Sequence, residues 1–214
     1  MITSERGAVA ANSRGSSGVP EPPTFVARLA YALVAAVVRP FWGPAFQGLE
    51  RVPASGRVII ACNHRHWMDT MVMPLCVMRV RFPRLLGKEE LFRNPAVGWL
   101  IRQLGVIRLD RRRGDVWALK QALGVLETEG CLIVFPEGTR SRTGAPLKPK
   151  PGVGFLAAKS GASVVPVRVR HTELFPKPVR MTVSFGEPLR YTGDGGRESC
   201  QAFAERVMET IYKL

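Results

Sequence analysis

Two of the three histidines lie in one short segment, NHRHWMDT, at residues 63–70. His64 and Asp69 are five positions apart, which is about 140° around a helix, so they cannot share one helical face. They meet if His64 lies on the turn before a helix and Asp69 lies in its first or second turn. Asp69 would then fix the imidazole tautomer and stabilise its charged form, while the other ring nitrogen takes a proton from a hydroxyl. Because the ordinary pKa of histidine, about 6.5, lies near neutral pH, the pair suits general-base catalysis.

Two other interpretations of this segment stay open at this point. A His–Asp pair at this spacing is also found as two polar surface residues around a helix cap. His64 and His66 could hold a metal ion, but such sites need further ligands, and only His171 remains, far along the chain. The position directly after the apolar run VIIAC favours a site, because ligands of α/β folds bind at the carboxyl ends of strands.

A second group of chemically useful residues, FPEGTRS, overlaps the end of the apolar run CLIVF at residues 131–135. Pro136 and Gly138 stop the strand and predict a turn, and such a turn can aim successive backbone N–H groups at an anion. Arg140 adds a planar fork that matches a phosphate group bidentately. Glu137 is an acceptor among these donors and could hold a substrate hydroxyl or an arginine. The alternative is a polar surface turn.

Two further cations lie where predicted elements begin or end. In GVIRLDR, at residues 105–111, a predicted strand delivers Arg111 to its end, near the other strand ends. Lys150 precedes Pro151 and Gly152, which open a predicted helix, and a helix N-terminus already favours anions. For each of the two cations, a solvated surface charge is the commoner explanation.

The elements that must position these residues alternate in period. Short apolar or β-branched runs predict buried strands, at residues 58–62, 84–87, 106–109, 131–135, 164–169 and 179–185. Helical patterns lie between or after them, at residues 94–103, 115–130, 152–160 and 197–212. This alternation predicts an α/β fold with a mostly parallel central sheet flanked by helices.

The N-terminal region differs from the rest of the chain. Residues 1–23 are rich in Gly, Ser, Ala and Pro and are expected to form a disordered tail. Residues 24–48 form an apolar segment whose uncharged stretch has ten residues, bracketed by Arg28 and Arg39. As a helix this stretch is about 15 Å long, half of what a membrane span requires, and no small-residue cleavage site follows it. We therefore expect an amphipathic interfacial helix; the alternative is a helix packed on the domain.

The charge of the chain restricts its partners. With 31 Lys and Arg against 17 Asp and Glu in 214 residues, the net charge is +14. The excess is concentrated in residues 79–113, with ten basic and three acidic side chains, and in residues 140–180, with nine and one. Such a balance fits an anionic membrane surface, a phosphorylated substrate or nucleic acid. No aromatic-rich basic strand or helix-turn-helix pattern supports nucleic acid, which we do not expect as a partner.

Four segments, NHRHWMD, GVIRLDR, FPEGTRS and VVPV, resemble in this order and spacing the four motif blocks of the glycerophospholipid acyltransferases. More narrowly, the chain is similar to the bacterial 1-acyl-sn-glycerol-3-phosphate acyltransferases, from about Leu49 to about Leu189. The resemblance implies an acyltransferase domain, which we place at residues 49–214. Where members of the family often have serine two positions after the histidine of the first block, this chain has His66.

The resemblance implies that a fatty acyl group passes from acyl-CoA or acyl-ACP to the free hydroxyl of lysophosphatidic acid, giving phosphatidic acid in phospholipid synthesis. No cofactor, metal or acyl-enzyme is implied, and the site of action is the cytoplasmic face of the cell membrane, with peripheral or monotopic attachment. Another lysophospholipid or a glycerol phosphate as acceptor, and a non-catalytic basic peripheral membrane protein, are the alternatives.

The resemblance also assigns roles to individual residues. His64 would be the general base and Asp69 its orienting partner. The remaining motif residues would bind the acceptor phosphate or organise its pocket: Arg111, Glu137, Gly138, Thr139, Arg140 and, at the family's Lys-x-Gly position, Lys150. Val165, Pro166 and Val167 match the fourth block, near the acyl donor.

Overall fold

The computed structural model describes residues 23–109, 114–141 and 145–214. Within these residues, seven strands form one sheet: β1 Ala45–Gln47, β2 Val58–Cys62, β3 Pro83–Lys88, β4 Val106–Leu109, β5 Cys131–Val134, β6 Ser163–Arg170 and β7 Thr182–Phe185. Their order across the sheet is β1-β7-β6-β2-β5-β3-β4, and every pairing is parallel except that of β6 with β7. The prediction of a mostly parallel sheet is confirmed.

The described residues contain six α-helices: α1 Phe25–Trp42, α2 Asp69–Val77, α3 Pro95–Gln103, α4 Gly114–Glu127, α5 Gly152–Ser160 and α6 Arg197–Lys213. The predicted start of α3 is confirmed, because the Asn94 side-chain oxygen accepts the backbone N–H groups of Ala96 and Val97 at 3.0 and 3.2 Å. Strand β1 was not predicted, since three residues are too short to show an alternating pattern. It lies inside the segment that was expected to be an interfacial helix, so the helical part of that segment ends at Trp42.

The core lies on both faces of the sheet. Successive side chains of a strand point to opposite faces, so Val58, Ile60 and Cys62 of β2 pack towards α2, while Ile59 and Ala61 pack towards α4, α5 and α6. All five residues of β2 are buried. A strand covered on both faces reads as a continuous apolar run, which is why VIIAC was recognisable in the sequence.

Helix α1 packs on α3 and leaves one of its own faces uncovered. The Tyr31 hydroxyl donates to the Leu104 carbonyl oxygen at 2.9 Å, and the Thr24 hydroxyl donates to Gln103 Oε1 at 2.8 Å. The uncovered apolar residues recur every four positions: Phe25, Leu29, Leu33, Val37 and Phe41. Among the described residues, α1 is the one helix long and apolar enough to cross a membrane by length and composition. The N-terminal tail predicted for residues 1–23 lies, up to residue 22, outside the described residues.

Candidate active site

Three neighbouring strands bring the candidate residues to one edge of the sheet. β2 lies between β5 and β6 and runs parallel to both. His64 follows β2 by two residues, Glu137 follows β5 by three, and Thr172 follows β6 by two. Because the carboxyl ends of parallel strands meet at the same edge, residues far apart in the chain are placed side by side there.

The predicted meeting of His64 and Asp69 is confirmed. His64 lies on the turn after β2, Asp69 is the first residue of α2, and Nδ1 of His64 is 3.0 Å from Oδ2 of Asp69. Asp69 is fully buried, whereas the His64 side chain keeps 14% of its surface exposed. A carboxylate only accepts hydrogen bonds, so Nδ1 carries the proton and Nε2 is the ring nitrogen available to a substrate. The catalytic role of the pair stays a prediction.

The Asp69 carboxylate is held from several directions. The backbone N–H groups of Arg65 and His66 donate to Oδ2 at 2.7 and 2.8 Å, in addition to His64. On the other oxygen, the Thr172 hydroxyl donates to Oδ1 at 2.5 Å. These hydrogen bonds offset the cost of burying the charge and fix the orientation of the carboxylate. Thr172 was not identified from the sequence; the available signal was its position just after the strand VVPVRVR.

The loop after β5 supports the histidine. The His64 ring stacks on Phe135, with ring centroids 4.1 Å apart and planes inclined by 23°. The His64 backbone N–H donates to Glu137 Oε1 at 3.2 Å, and the His64 carbonyl accepts from the Ser141 N–H at 2.9 Å. The first and third predicted motifs therefore form one structural unit around the imidazole.

Glu137 is buried and connects the two loops. Burial raises the pKa of its carboxyl group, and the hydrogen bond from the His64 backbone N–H opposes this shift. Its second oxygen, Oε2, is buried and has no hydrogen-bond partner among the described residues. Glu137 therefore links the loop after β5 to the His64 backbone. Its expected role in organising the phosphate pocket stays a prediction.

The exposed part of the FPEGTRS turn carries the predicted phosphate ligands. Gly138 has a φ of +69°, which favours glycine, and its N–H donates to the Phe135 carbonyl at 2.9 Å. A Cβ at Gly138 would lie only 3.1 Å from Cε of Lys150, so the lysine side chain passes directly over the turn. Thr139 and Arg140 follow Gly138 and are exposed. The structure thus brings Lys150 to the turn that bears Arg140.

The sequence also pointed to Arg111, His66 and His171. Arg111 lies outside the described residues. His171, the third histidine, directs Nδ1 towards the Arg180 carbonyl at 3.1 Å, and His66 Nδ1 accepts the Met68 N–H at 3.4 Å. Within residues 23–109, 114–141 and 145–214, no three or more His, Cys, Asp or Glu side chains converge to hold a metal ion.

An aromatic cluster around Phe175 contacts His66 and reaches the end of α1. Phe175 packs against Trp42 and Trp67, with ring centroids 5.0 and 5.3 Å apart, and against His66 at 6.2 Å. Trp67, in the turn before α2, is 45% exposed, and Met71, in the first turn of α2, is 39% exposed. The residues next to the His64–Asp69 pair therefore offer an apolar surface as well as a polar one.

Comparison with known proteins relates this architecture to one family. Residues 44–170 match the model of the acyltransferase family. The chain is 28% identical over 172 residues to the 1-acyl-sn-glycerol-3-phosphate acyltransferase of Bacillus subtilis, a match that covers 77% of this chain and 84% of that protein. It is 31% identical over 138 residues to a chloroplastic 1-acyl-sn-glycerol-3-phosphate acyltransferase of Brassica napus, covering 63% of this chain.

A solved structure shares the fold. The crystal structure of the 1-acyl-sn-glycerophosphate acyltransferase from Thermotoga maritima superposes with a TM-score of 0.67 at 28% sequence identity. The match covers 87% of this chain and 81% of that one. Some relatives are longer than this chain. The match covers only 39% and 38% of the chloroplastic proteins from Brassica napus and Arabidopsis thaliana.

Proposed function

Because this chain belongs to the acyltransferase family, we propose that it transfers a fatty acyl group from an acyl thioester to the free hydroxyl of lysophosphatidic acid, giving phosphatidic acid. The observation that carries the proposal is the hydrogen bond between His64 Nδ1 and Asp69 Oδ2, at the carboxyl end of the central strand. The names of the bacterial relatives support lysophosphatidic acid as the acceptor. The thioester is already activated, so the reaction needs no cofactor.

The proposed mechanism is direct transfer. The lysolipid hydroxyl oxygen attacks the thioester carbonyl carbon while Nε2 of His64 takes the hydroxyl proton. The tetrahedral intermediate expels the thiolate, which recovers that proton from the imidazolium, so the products are the diacyl lipid and a free thiol. The buried Asp69 carboxylate stabilises the imidazolium formed between the two steps.

The cations near the FPEGTRS turn hold the acceptor phosphate in this proposal. Arg140 is exposed three residues after Glu137, and the Lys150 side chain passes over Gly138. A guanidinium group binds phosphate bidentately, and holding the phosphate there makes the hydroxyl attack effectively intramolecular. Arg111 is assigned to the same pocket on the resemblance alone.

Replacing Arg140 by alanine is expected to weaken use of the acceptor. Loss of one charge-assisted phosphate contact predicts a fall in kcat/KM for lysophosphatidic acid of about 10- to 100-fold, mostly through KM. Arg190→Ala is the matched control, because Arg190 is exposed and lies away from the candidate site. It follows Leu189, which pairs with Val164 at the start of β6, whereas the site lies at the carboxyl end of that strand. An unchanged KM for the acceptor in Arg140→Ala would remove Arg140 from the phosphate site.

The proposed reaction is tested by mixing purified protein with acyl-CoA or acyl-ACP and lysophosphatidic acid. Thiol release matched by phosphatidic acid, followed by mass spectrometry, is the expected result. Thiol release without that product would indicate thioester hydrolysis. Product from a panel of other lysophospholipids, but not from lysophosphatidic acid, would keep the reaction class and overturn the acceptor.

We further propose that α1 lies in the membrane interface on the cytoplasmic side. In addition to the uncovered apolar stripe of α1, helix α3, on which α1 packs, exposes apolar side chains, at Val97, Trp99 and Leu100. The face of α1 that carries Tyr31 is occupied by the domain, which favours an interfacial position over a free span. Arg28 and Arg39 lie near the two ends of the helix, where they can contact anionic headgroups.

Adding two carboxylates to this stripe, Leu33→Glu with Val37→Glu, is expected to release the protein from membranes. Full burial of one such apolar side chain in lipid contributes about 1.5–3 kcal/mol to the free energy of binding. Because each substitution removes part of this contribution, partitioning into anionic vesicles should fall about 10-fold or more. Co-sedimentation measures it. The pair Thr192→Glu and Ala202→Glu makes the same charge change at exposed positions elsewhere. Equal loss in both pairs would mean that net charge, not the α1 stripe, controls binding.

A further inference from the structure

The buried hydroxyl of Thr172 contacts Asp69, the carboxylate of the proposed dyad. Thr172 has no exposed surface and begins a short 3-10 helix, Thr172–Leu174, two residues after the end of β6. Its Oγ1 is 2.5 Å from Oδ1 of Asp69, and the donor is the hydroxyl because a carboxylate only accepts. The two residues are 103 positions apart in the chain.

The two oxygens of Asp69 are held in different ways. Oδ2 accepts from His64 and from the backbone N–H groups of Arg65 and His66, all within the turn that precedes α2. Oδ1 accepts a hydrogen bond from the Thr172 hydroxyl, which comes from a distant part of the chain. Without it, a fully buried carboxylate oxygen would lose its donor, and the carboxylate would gain freedom to rotate.

Other contacts hold Thr172 in place independently of its hydroxyl. The side chain of Asn63 bonds Val169 twice, with Nδ2 donating to the Val169 carbonyl at 2.9 Å and Oδ1 accepting its N–H at 2.7 Å. Arg65 forms an ion pair with Glu173 at 3.4 Å. The loop of residues 63–69 is thus joined to the end of β6 on both sides of Thr172, so removal of the hydroxyl alone leaves the two loops together.

We propose that Thr172 is a positioning residue of the acyl transfer reaction. Its hydroxyl fixes the plane of the Asp69 carboxylate, and Asp69 in turn fixes the His64 ring so that Nε2 faces the acceptor hydroxyl. Thr172 touches neither substrate in this arrangement and acts through Asp69. The inference rests on the proposed function, although the geometry of the three side chains does not depend on which lipid is the acceptor.

Thr172→Val is the decisive variant, because valine keeps the shape of threonine and removes the hydroxyl. We expect kcat to fall about 10- to 100-fold, the range for loss of one hydrogen bond to a charged group, with KM for both substrates within about twofold. Thr172→Ser restores the hydroxyl and is expected to recover most of kcat. Thr70→Val is the matched control, since the Thr70 hydroxyl donates to the Trp67 carbonyl at 2.7 Å, next to Asp69 in sequence but not bonded to it.

A measurement on the substrate-free protein tests this inference separately from the proposed function. Proton NMR of the His64 Nδ1–H, assigned with a His64→Gln variant, reports the bond to Asp69 directly. We expect this resonance to shift or broaden in Thr172→Val and to return in Thr172→Ser. If the wild-type chain does not acylate lysophosphatidic acid, the proposed function fails, while the resonance still decides whether Thr172 positions the dyad.

A Thr172→Val variant with normal kcat and an unchanged Nδ1–H resonance would overturn the inference, and so would equal losses in the valine and serine variants. Should the valine variant fail to fold, Thr172→Ala against Thr172→Ser makes the same comparison. A low kcat with raised KM in the alanine variant, not corrected by serine, would assign Thr172 a purely structural role.

Discussion

Replacing His64 by alanine is expected to lower kcat for acyl transfer about 10³-fold, with the fold and membrane binding retained. The reason is that no other base replaces Nε2. The Asp69 carboxylate is buried and accepts hydrogen bonds on both oxygens. Glu137 is also buried, with one oxygen bonded to the His64 backbone N–H. The lost side chain is partly exposed and contributes a hydrogen bond and a stacking contact, so the loss of stability should be modest.

Steady-state turnover, thermal unfolding and vesicle binding measure the three properties separately. Because the alanine leaves a space beside Phe135 and the imidazole is 14% exposed, added imidazole is expected to restore part of the lost rate. Rescue that grows with imidazole concentration would identify the missing group as the base. Retention of more than about a tenth of wild-type kcat would contradict general-base catalysis by His64.

The His64–Asp69 pair and the FPEGTRS turn could be predicted because each is encoded in one short stretch of sequence. His64 and Asp69 lie in one short segment, and the buried strand before it is a continuous apolar run. The same holds for the FPEGTRS turn, where proline and glycine follow a buried strand. Parallel strands place such segments at one edge regardless of the details of packing, so the sheet and the dyad could be deduced together.

The missed parts depend on contacts between distant segments. Thr172 reaches Asp69 only because β6 pairs with β2 in a particular register, with Val167 opposite Cys62. Its one sequence signal, a position just after the run VVPVRVR, is shared by any residue that follows a strand. The packing of Trp42 on Phe175 and the short strand β1 were missed for the same reason. Each depends on a partner distant in sequence, Phe175 or strand β7, and has no recognisable sequence pattern of its own.

Asp69→Asn is expected to lower kcat about 10²- to 10³-fold, less than loss of the imidazole and without loss of its orientation. The amide oxygen of the asparagine should occupy the position of Oδ2, because that position faces three N–H donors. The amide NH₂ then faces the Thr172 hydroxyl, which accepts a hydrogen bond as readily as it donates one. The opposite orientation would set N–H groups against N–H groups.

In the favoured orientation, His64 keeps its proton on Nδ1 and still presents Nε2 to the acceptor. What is lost is the negative charge that stabilises the imidazolium, so the barrier rises while the ground-state geometry persists. A triad variant that traps the wrong tautomer loses about 10⁴-fold, and the predicted loss here is smaller because the tautomer is retained. The measurement is kcat with KM for both substrates, alongside the His64 Nδ1–H resonance, which should persist at a changed shift. Wild-type kcat in Asp69→Asn would show that the charge is not used, and kcat as low as that of His64→Ala would show that the tautomer was lost with the charge.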